Sequence, residues 1–154
     1  MISNPNEKNL LIFTEVDFDS NTGLFRNSSV DSIFLEYTKY FSNVYVFCPG
    51  NFSGEYNHAS GEISVIATVK YNKSLKSRLF FSLSIPERKR IKAILQEKMI
   101  TDVQIRIPSI FSFITFLAVN KNNVRTSFYV AGDWATSFES NYDFFGSKLI
   151  GSFL

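Results

Sequence analysis

Residues 102–134 carry the clearest structural pattern in the chain and read DVQIRIPSIFSFITFLAVNKNNVRTSFYVAGDW. Val103 to Ile107 predicts a strand that ends at a proline turn, and Arg125 to Val130 predicts a second strand. Between them, Ile110 to Val119 is apolar nearly all round, which predicts a buried helix with Ser109 as its cap. The stretch therefore predicts a strand, a helix and a strand, with the two strands parallel.

The same alternation extends toward the N-terminus. Continuous apolar runs at Asn9 to Val16, Val44 to Cys48 and Ile63 to Val69 predict three further strands. Helices are predicted to start at Ser28 and at Ser84, where Ser-Ile-Pro-Glu forms a capping box. We therefore predict an α/β fold: a three-layer Rossmann-like domain with a mainly parallel sheet. With the five predicted strands numbered in chain order, the expected strand order is 3-2-1-4-5.

Composition places the chain among ordinary folded domains. Its 154 residues are 45% hydrophobic and 19% charged, which predicts one domain over residues 1–154. The single cysteine, Cys48, excludes an internal disulfide, favours a reducing compartment and is interpreted as a buried hydrophobe. The N-terminus lacks a signal-peptide pattern, and the longest uncharged apolar run falls short of the roughly 20 residues that span a bilayer. We expect a cytoplasmic protein without a transmembrane anchor.

Basic charge is concentrated in the middle of the chain. Residues 70–98 hold nine of the sixteen Lys and Arg residues against two acids. Candidate membrane-docking residues within this belt are Lys73, Lys76, Arg78, Phe80, Phe81, Arg88, Lys89 and Arg90. Anionic lipid attracts such a patch at about 1 kcal/mol per basic residue, and the alternative is a solvated helix face and loop. No nucleic-acid-binding signature accompanies the charge, so nucleic acid is not an expected partner.

Polar and glycine residues follow the predicted strands, at the edge where open parallel sheets bind ligands. The candidate substrate-binding residues are Gly23, Arg106, Ser109, Asp133 and Trp134. Arg106 offers a planar fork that suits a phosphate or a carboxylated sugar. Its alternative role is a structural ion pair with Asp102 or Asp133.

The other four candidates also have structural alternatives. Gly23 either lets a ligand approach the backbone or forms an ordinary turn. Ser109 fits a helix cap, and without a histidine base nearby it does not suit nucleophilic catalysis. Trp134 either stacks on a sugar ring, with Asp133 accepting the sugar hydroxyls, or closes an edge of the core.

Two acidic patterns and a single histidine are potential metal ligands. Asp17-Phe-Asp19 matches the Asp-x-Asp that holds a divalent cation in some sugar transferases, but it follows the first strand rather than the position that this chemistry requires. With Glu15 it also forms an acidic cluster like that of phospho-receiver domains. Those domains also need an Asp after the third strand and a Lys after the fifth, and this chain has neither. His58 has no second His or Cys nearby and is interpreted as a solvated loop residue. No metal and no cofactor are predicted.

Several of the motifs described above make the chain resemble the N-terminal half of a GT-B glycosyltransferase of the family 4 type. Four features carry the resemblance: the strand Leu10 to Val16 with its glycine loop, the helix that follows, Arg106-Ile-Pro-Ser109, and Tyr129-Val-Ala-Gly-Asp-Trp134. They extend from Asn9 to about Glu139. In that family the N-terminal domain receives the acceptor and the C-terminal domain binds the nucleotide sugar.

The resemblance implies that this chain is the acceptor-binding half of a glycosyltransferase. Its partners would be a saccharide or lipid-linked acceptor, a nucleotide-sugar donor held by a missing domain or second chain, and an anionic membrane at the inner face of the plasma membrane. The paired Glu residues of the donor-binding half have no counterpart here, so the chain is not expected to be active alone. The alternative is a non-catalytic membrane-docking or partner subunit, or a truncated remnant without activity.

Overall fold

The computed structural model describes residues 7–50, 53–69, 84–107, 110–119 and 124–130. Its strands are β1 (Asn9–Phe13), β2 (Phe18–Asp19), β3 (Leu24–Phe25), β4 (Asn43–Gly50), β5 (Gly54–Asn57), β6 (Ile63–Val69), β7 (Asp102–Ile107) and β8 (Arg125–Val130). Its helices are α1 (Ser28–Tyr37), α2 (Ile85–Glu97) and α3 (Ile110–Val119). The predicted α/β class is confirmed, because helices and strands alternate around one open sheet of mostly parallel strands.

Strand β1 lies in the middle of the sheet. It pairs in parallel with β4 on one side and with β7 on the other. Beyond these strands, β6 pairs in parallel with β4 and β8 pairs in parallel with β7. The chain therefore builds the sheet outward in one direction from β1 and then crosses to the other side of β1 to add β7 and β8.

The strand order of the whole sheet differs from the predicted one, because three short strands join it. β2 pairs in parallel with β4 and antiparallel with β3, and β5 pairs antiparallel with β6. These strands are two to four residues long, which is too short for alternation of apolar residues to reveal them in the sequence. The arrangement is consistent with a Rossmann-like α/β fold.

Helices cover both faces of the sheet. Leu10 and Ile12 of β1 pack with Val30 and Phe34 of α1 in one buried cluster. The alternate residues of β1 belong to a second cluster, which includes Ile91, Ile94 and Leu95 of α2 and Ala118 and Val119 of α3. Because successive strand residues point to opposite faces, β1, β4 and β6 each supply side chains to both clusters. Cys48 is buried in the α1 cluster, as predicted.

The two predicted helix starts lie within one residue of the observed ones. Asn27, rather than Ser28, caps α1, and its side chain accepts a hydrogen bond from the Ser29 N–H. Ser84 caps α2 as predicted, accepting from the Glu87 N–H at 3.4 Å. None of the described helices combines the length and the apolar character needed to cross a membrane.

Candidate functional site

A pocket lies at the carboxyl edge of the sheet, beside the central strand. Its volume is about 150 Å³. It is lined by Ile12, Phe13, Thr14, Asn27, Ser29, Val30, Ile33, Phe34, Tyr37, Gln104, Arg106 and Tyr129. These residues come from the ends of β1, β7 and β8 and from α1. Since β4 and β7 lie on opposite sides of β1, this is the point where the strand order reverses, which is where open α/β sheets bind ligands.

Strand alternation explains which side chains of β7 reach the pocket. Val103 and Ile105 are fully buried in the cluster on the α2 face. Gln104 and Arg106 therefore point to the opposite face, toward α1. Tyr129 is the register partner of Arg106 on β8, so it lies on the same face as Arg106. The predicted position of Arg106 at the carboxyl edge is confirmed, although its predicted role stays a prediction.

The polar groups of the pocket are held by hydrogen bonds to one another and to the backbone. The Gln104 side-chain amide donates to the Tyr37 hydroxyl over 2.8 Å, which links β7 to the last turn of α1. The buried Thr14 continues the pairing of β1 with β4, because its N–H donates to the Phe47 carbonyl. Its hydroxyl accepts from the Val16 N–H. Side chains held in this way have little conformational freedom left to lose on binding.

Arg106 is the one charged side chain among the described residues that line the pocket. Asp31 of α1 follows the lining residue Val30, but its carboxylate forms hydrogen bonds outside the lining. Its Oδ1 accepts hydrogen bonds from the Phe25 N–H at 3.2 Å and from His58 at 2.8 Å. Among the described residues, the lining therefore combines one cation with neutral polar groups and apolar walls.

The structure contradicts the interpretation of His58 as a solvated loop residue. His58 is 4% exposed and its ring stacks against Phe25 with the ring centroids 5.8 Å apart. The Ser60 N–H donates to Nδ1, which fixes the proton on Nε2 and makes Nε2 the donor to Asp31. Nothing in the neighbouring sequence signals this burial, because the partner, Asp31, is 27 residues away.

Gly23 lies in the turn between β2 and β3 and is not among the residues lining the pocket. Its φ of +69° is a conformation that favours glycine. An added Cβ would lie 3.2 Å from the Ala59 N, and the Gly23 carbonyl accepts a hydrogen bond from that N–H. The glycine therefore has a structural reason in this fold, namely the close approach of two turns.

Of the candidate membrane-docking residues, Arg88, Lys89 and Arg90 lie within the described ranges. Arg90 turns inward: its guanidinium donates to the Ala67 carbonyl at 3.2 Å and lies over the Phe47 ring at 5.5 Å. Lys89 is exposed. Arg90 thus helps to pack α2 on the sheet, and membrane docking by the belt stays a prediction.

Several predicted residues lie outside the described ranges. They are Ser109, Asp133, Trp134, Lys73, Lys76, Arg78, Phe80 and Phe81. Of the two acids named as partners for Arg106, Asp102 forms its salt bridge with Arg125, at 2.8 Å. That pair lies at the amino end of β7 and β8, on the edge opposite the pocket.

The acidic loop after β1 does not form a cation site among the described residues. Asp17 pairs with Arg26 at 3.5 Å, and Asp19 Oδ1 accepts from the Asn21 N–H. No group of three or more potential metal ligands occurs within the described ranges. The loop therefore acts in this structure as a set of turn and surface contacts.

Sequence reasoning found one of the polar residues in the pocket and missed others. Gln104 stands two residues before Arg106 in the same strand, and this spacing was a signal that both share a face. Tyr37 and Tyr129 gave no such signal, because the pocket forms only when α1 and β8 meet the sheet. Comparisons with family models, with curated proteins and with solved structures found no match to this chain.

Proposed function

We propose that the chain is the acceptor-binding half of a glycosyltransferase, which holds a saccharide acceptor at the carboxyl edge of its sheet. The observation that carries this proposal is the position of the pocket, between β1 and β7 and against α1. Ligands of open α/β sheets bind at this reversal of strand order. Two motifs that resemble those of sugar transferases support the same site, namely Arg106-Ile-Pro-Ser109 and the segment Tyr129–Trp134.

The lining suits a sugar, which presents both hydroxyl groups and apolar ring faces. Gln104 and Tyr37 offer donors and acceptors, and they are already oriented by their mutual hydrogen bond. Ile12 and Phe34 supply an apolar wall. Small-molecule sites generally combine apolar walls with a few placed polar groups in this way.

Transfer of a sugar needs more than this domain. The leaving diphosphate of a nucleotide-sugar donor must be stabilised by cationic or N–H groups, and these contacts are usually the largest part of the catalysis. In the proposal they come from a donor-binding domain or a second chain. We also propose that the domain is the three-layer Rossmann-like half of a two-domain GT-B enzyme.

Ligand-observed NMR can test the proposal with glucose, glucuronate and UDP-glucose as probes. We expect saccharide signals to be attenuated on binding and UDP-glucose to compete weakly. Filling the pocket by Ile33→Trp should abolish saccharide binding, because Ile33 lines the pocket and is 43% exposed, which leaves room for a larger side chain. Ile85→Trp is the matched control, since Ile85 is 59% exposed on α2.

Two results would count against the proposal. Absence of binding for every saccharide would remove its basis. Equal loss of binding in the Ile33 and Ile85 variants would show that the saccharides bind somewhere other than the pocket.

A further inference from the structure

We infer that Tyr37 and Gln104 together recognise one hydroxyl group of the acceptor, which accepts a hydrogen bond from Tyr37 and donates one to Gln104. This inference rests on the proposed function and names the group by which the same pocket selects its saccharide. It goes beyond that proposal because it requires a free hydroxyl at one position of the sugar and makes these two residues the determinants of specificity.

The bond between the two side chains leaves one donor and one acceptor unused. The Gln104 amide N–H donates to the Tyr37 hydroxyl oxygen over 2.8 Å. A tyrosine hydroxyl also has its own proton to donate, and a glutamine has a carbonyl oxygen that accepts. Within the described part of the chain, neither the Tyr37 hydroxyl proton nor the Gln104 Oε1 has a hydrogen-bond partner. The pair can therefore bind a group that both accepts and donates.

A hydroxyl group has the chemistry that completes this pair. It can accept from the Tyr37 O–H and donate to the Gln104 Oε1 at the same time. The three groups then form a closed chain of hydrogen bonds, in which each group donates one and accepts one, and bonds in such a chain strengthen one another. An ammonium group cannot accept, and an ether oxygen or a fluorine cannot donate, so none of these completes the chain.

The two side chains are held from different sides of the pocket. Tyr37 lies in the last turn of α1 and packs against the core cluster that includes Phe34. Gln104 lies on β7 between the buried Val103 and Ile105. Both residues line the pocket. Because a helix and a strand fix the pair, a ligand hydroxyl meets it with little loss of side-chain freedom.

The size of the pocket sets how much of the acceptor meets this pair. Its volume of about 150 Å³ is below the ~300–1,000 Å³ of pockets that enclose drug-sized ligands. It therefore suits a single terminal unit of an acceptor rather than a length of oligosaccharide. A monosaccharide is for this reason a sufficient probe.

The test compares monosaccharides with analogues altered at one hydroxyl. Binding of glucose, galactose and mannose, and of their monodeoxy and deoxyfluoro analogues, is measured by NMR titration on the full chain. We expect one position at which the deoxy sugar binds about tenfold or more weakly than its parent, because it leaves the donor and the acceptor of the pair unpaired. The deoxyfluoro sugar altered at that position should also bind more weakly than its parent, since fluorine cannot donate to Gln104.

Two variants connect this preference to the pair. Tyr37→Phe removes the donor and keeps the ring, and Gln104→Met removes the acceptor at similar size. In each variant the ratio of parent to deoxy affinity should fall toward one, whereas a merely structural role would weaken all the sugars alike and leave the ratio unchanged. Tyr40→Phe is the matched control, because Tyr40 is 68% exposed just after α1 and is not among the lining residues. This control should keep the ratio.

The outcomes separate the two proposals. Monodeoxy sugars that all bind within about threefold of their parents overturn the inference and leave the proposed function standing. A ratio that survives in the folded Tyr37 and Gln104 variants, or that the Tyr40 control loses equally, also overturns it, since another part of the chain would then recognise the hydroxyl. Thermal melts identify the folded variants. Failure of every saccharide to bind overturns both proposals.

Discussion

Replacing His58 by Ala should destabilise the fold strongly, although the residue lies in a turn. The His58 side chain is 3% exposed and that of Asp31 is 15% exposed, so the bond between them is shielded from water. Its Nε2 donates to Asp31 Oδ1 over 2.8 Å, and this contact joins the turn before β6 to the first turn of α1.

The magnitude follows from the contacts that are lost. A hydrogen bond to a charged group contributes about 1.5–3 kcal/mol. The stacked contact with Phe25 adds about 0.5–1.5 kcal/mol, the value for a ring pair. We therefore expect His58→Ala to lower the free energy of unfolding by about 2–4 kcal/mol.

Urea unfolding followed by circular dichroism at neutral pH measures this loss. For a chain of this size, with a urea dependence of about 2 kcal/mol per molar, the midpoint should fall by about 1–2 M. Glu62→Ala is the control, because Glu62 lies exposed in the turn that holds His58. It should change stability by about 0.5 kcal/mol or less. A His58 variant as stable as this control would refute the reasoning.

Three further predictions concern particular positions in the fold. Gly61→Ala should lower the free energy of unfolding by about 1–2 kcal/mol, because the residue has a positive φ. Gly23→Ala should lower it further, because the new Cβ would also lie 3.2 Å from the Ala59 backbone N. Equal losses for the two variants in chemical denaturation would contradict this close approach. Ile105→Ala should cost about 2–5 kcal/mol, since Ile105 is fully buried; a loss below 1 kcal/mol would place it outside the core. Burial, with a smaller effect of Asp17, raises the pKa of the Cys48 thiol, so iodoacetamide should modify it only after unfolding; modification of the native chain, seen by mass spectrometry, would contradict its burial.

The elements that the sequence predicted are those in which one residue pattern is long enough to specify a structure. The strand at Asp102–Ile107 and the helix start at Ser84 are examples. In both, the information is local: alternation or a capping residue determines the backbone without help from distant parts of the chain. The position of Arg106 at the carboxyl edge followed from the same strand.

The features that were missed depend on contacts between distant residues. The polar sequence around His58 predicts a solvated loop residue, and its burial arises only when Asp31 and Phe25 contact it in the fold. Likewise, Tyr37 enters the site through a bond to Gln104, 67 positions later. No local sequence pattern encodes a contact between residues so far apart in the chain, because the contact forms only when the fold brings them together.

We propose that the pocket beside β1 holds a saccharide acceptor, and a chemical-shift map of backbone amides during titration with glucose or glucuronate locates the binding site. We expect shifts grouped around Thr14, the start of α1 and residues 104–106, with little change at Asn9, Thr101 and Arg125 on the opposite edge. Shifts grouped on that opposite edge, or no shifts at millimolar saccharide, would overturn the proposal.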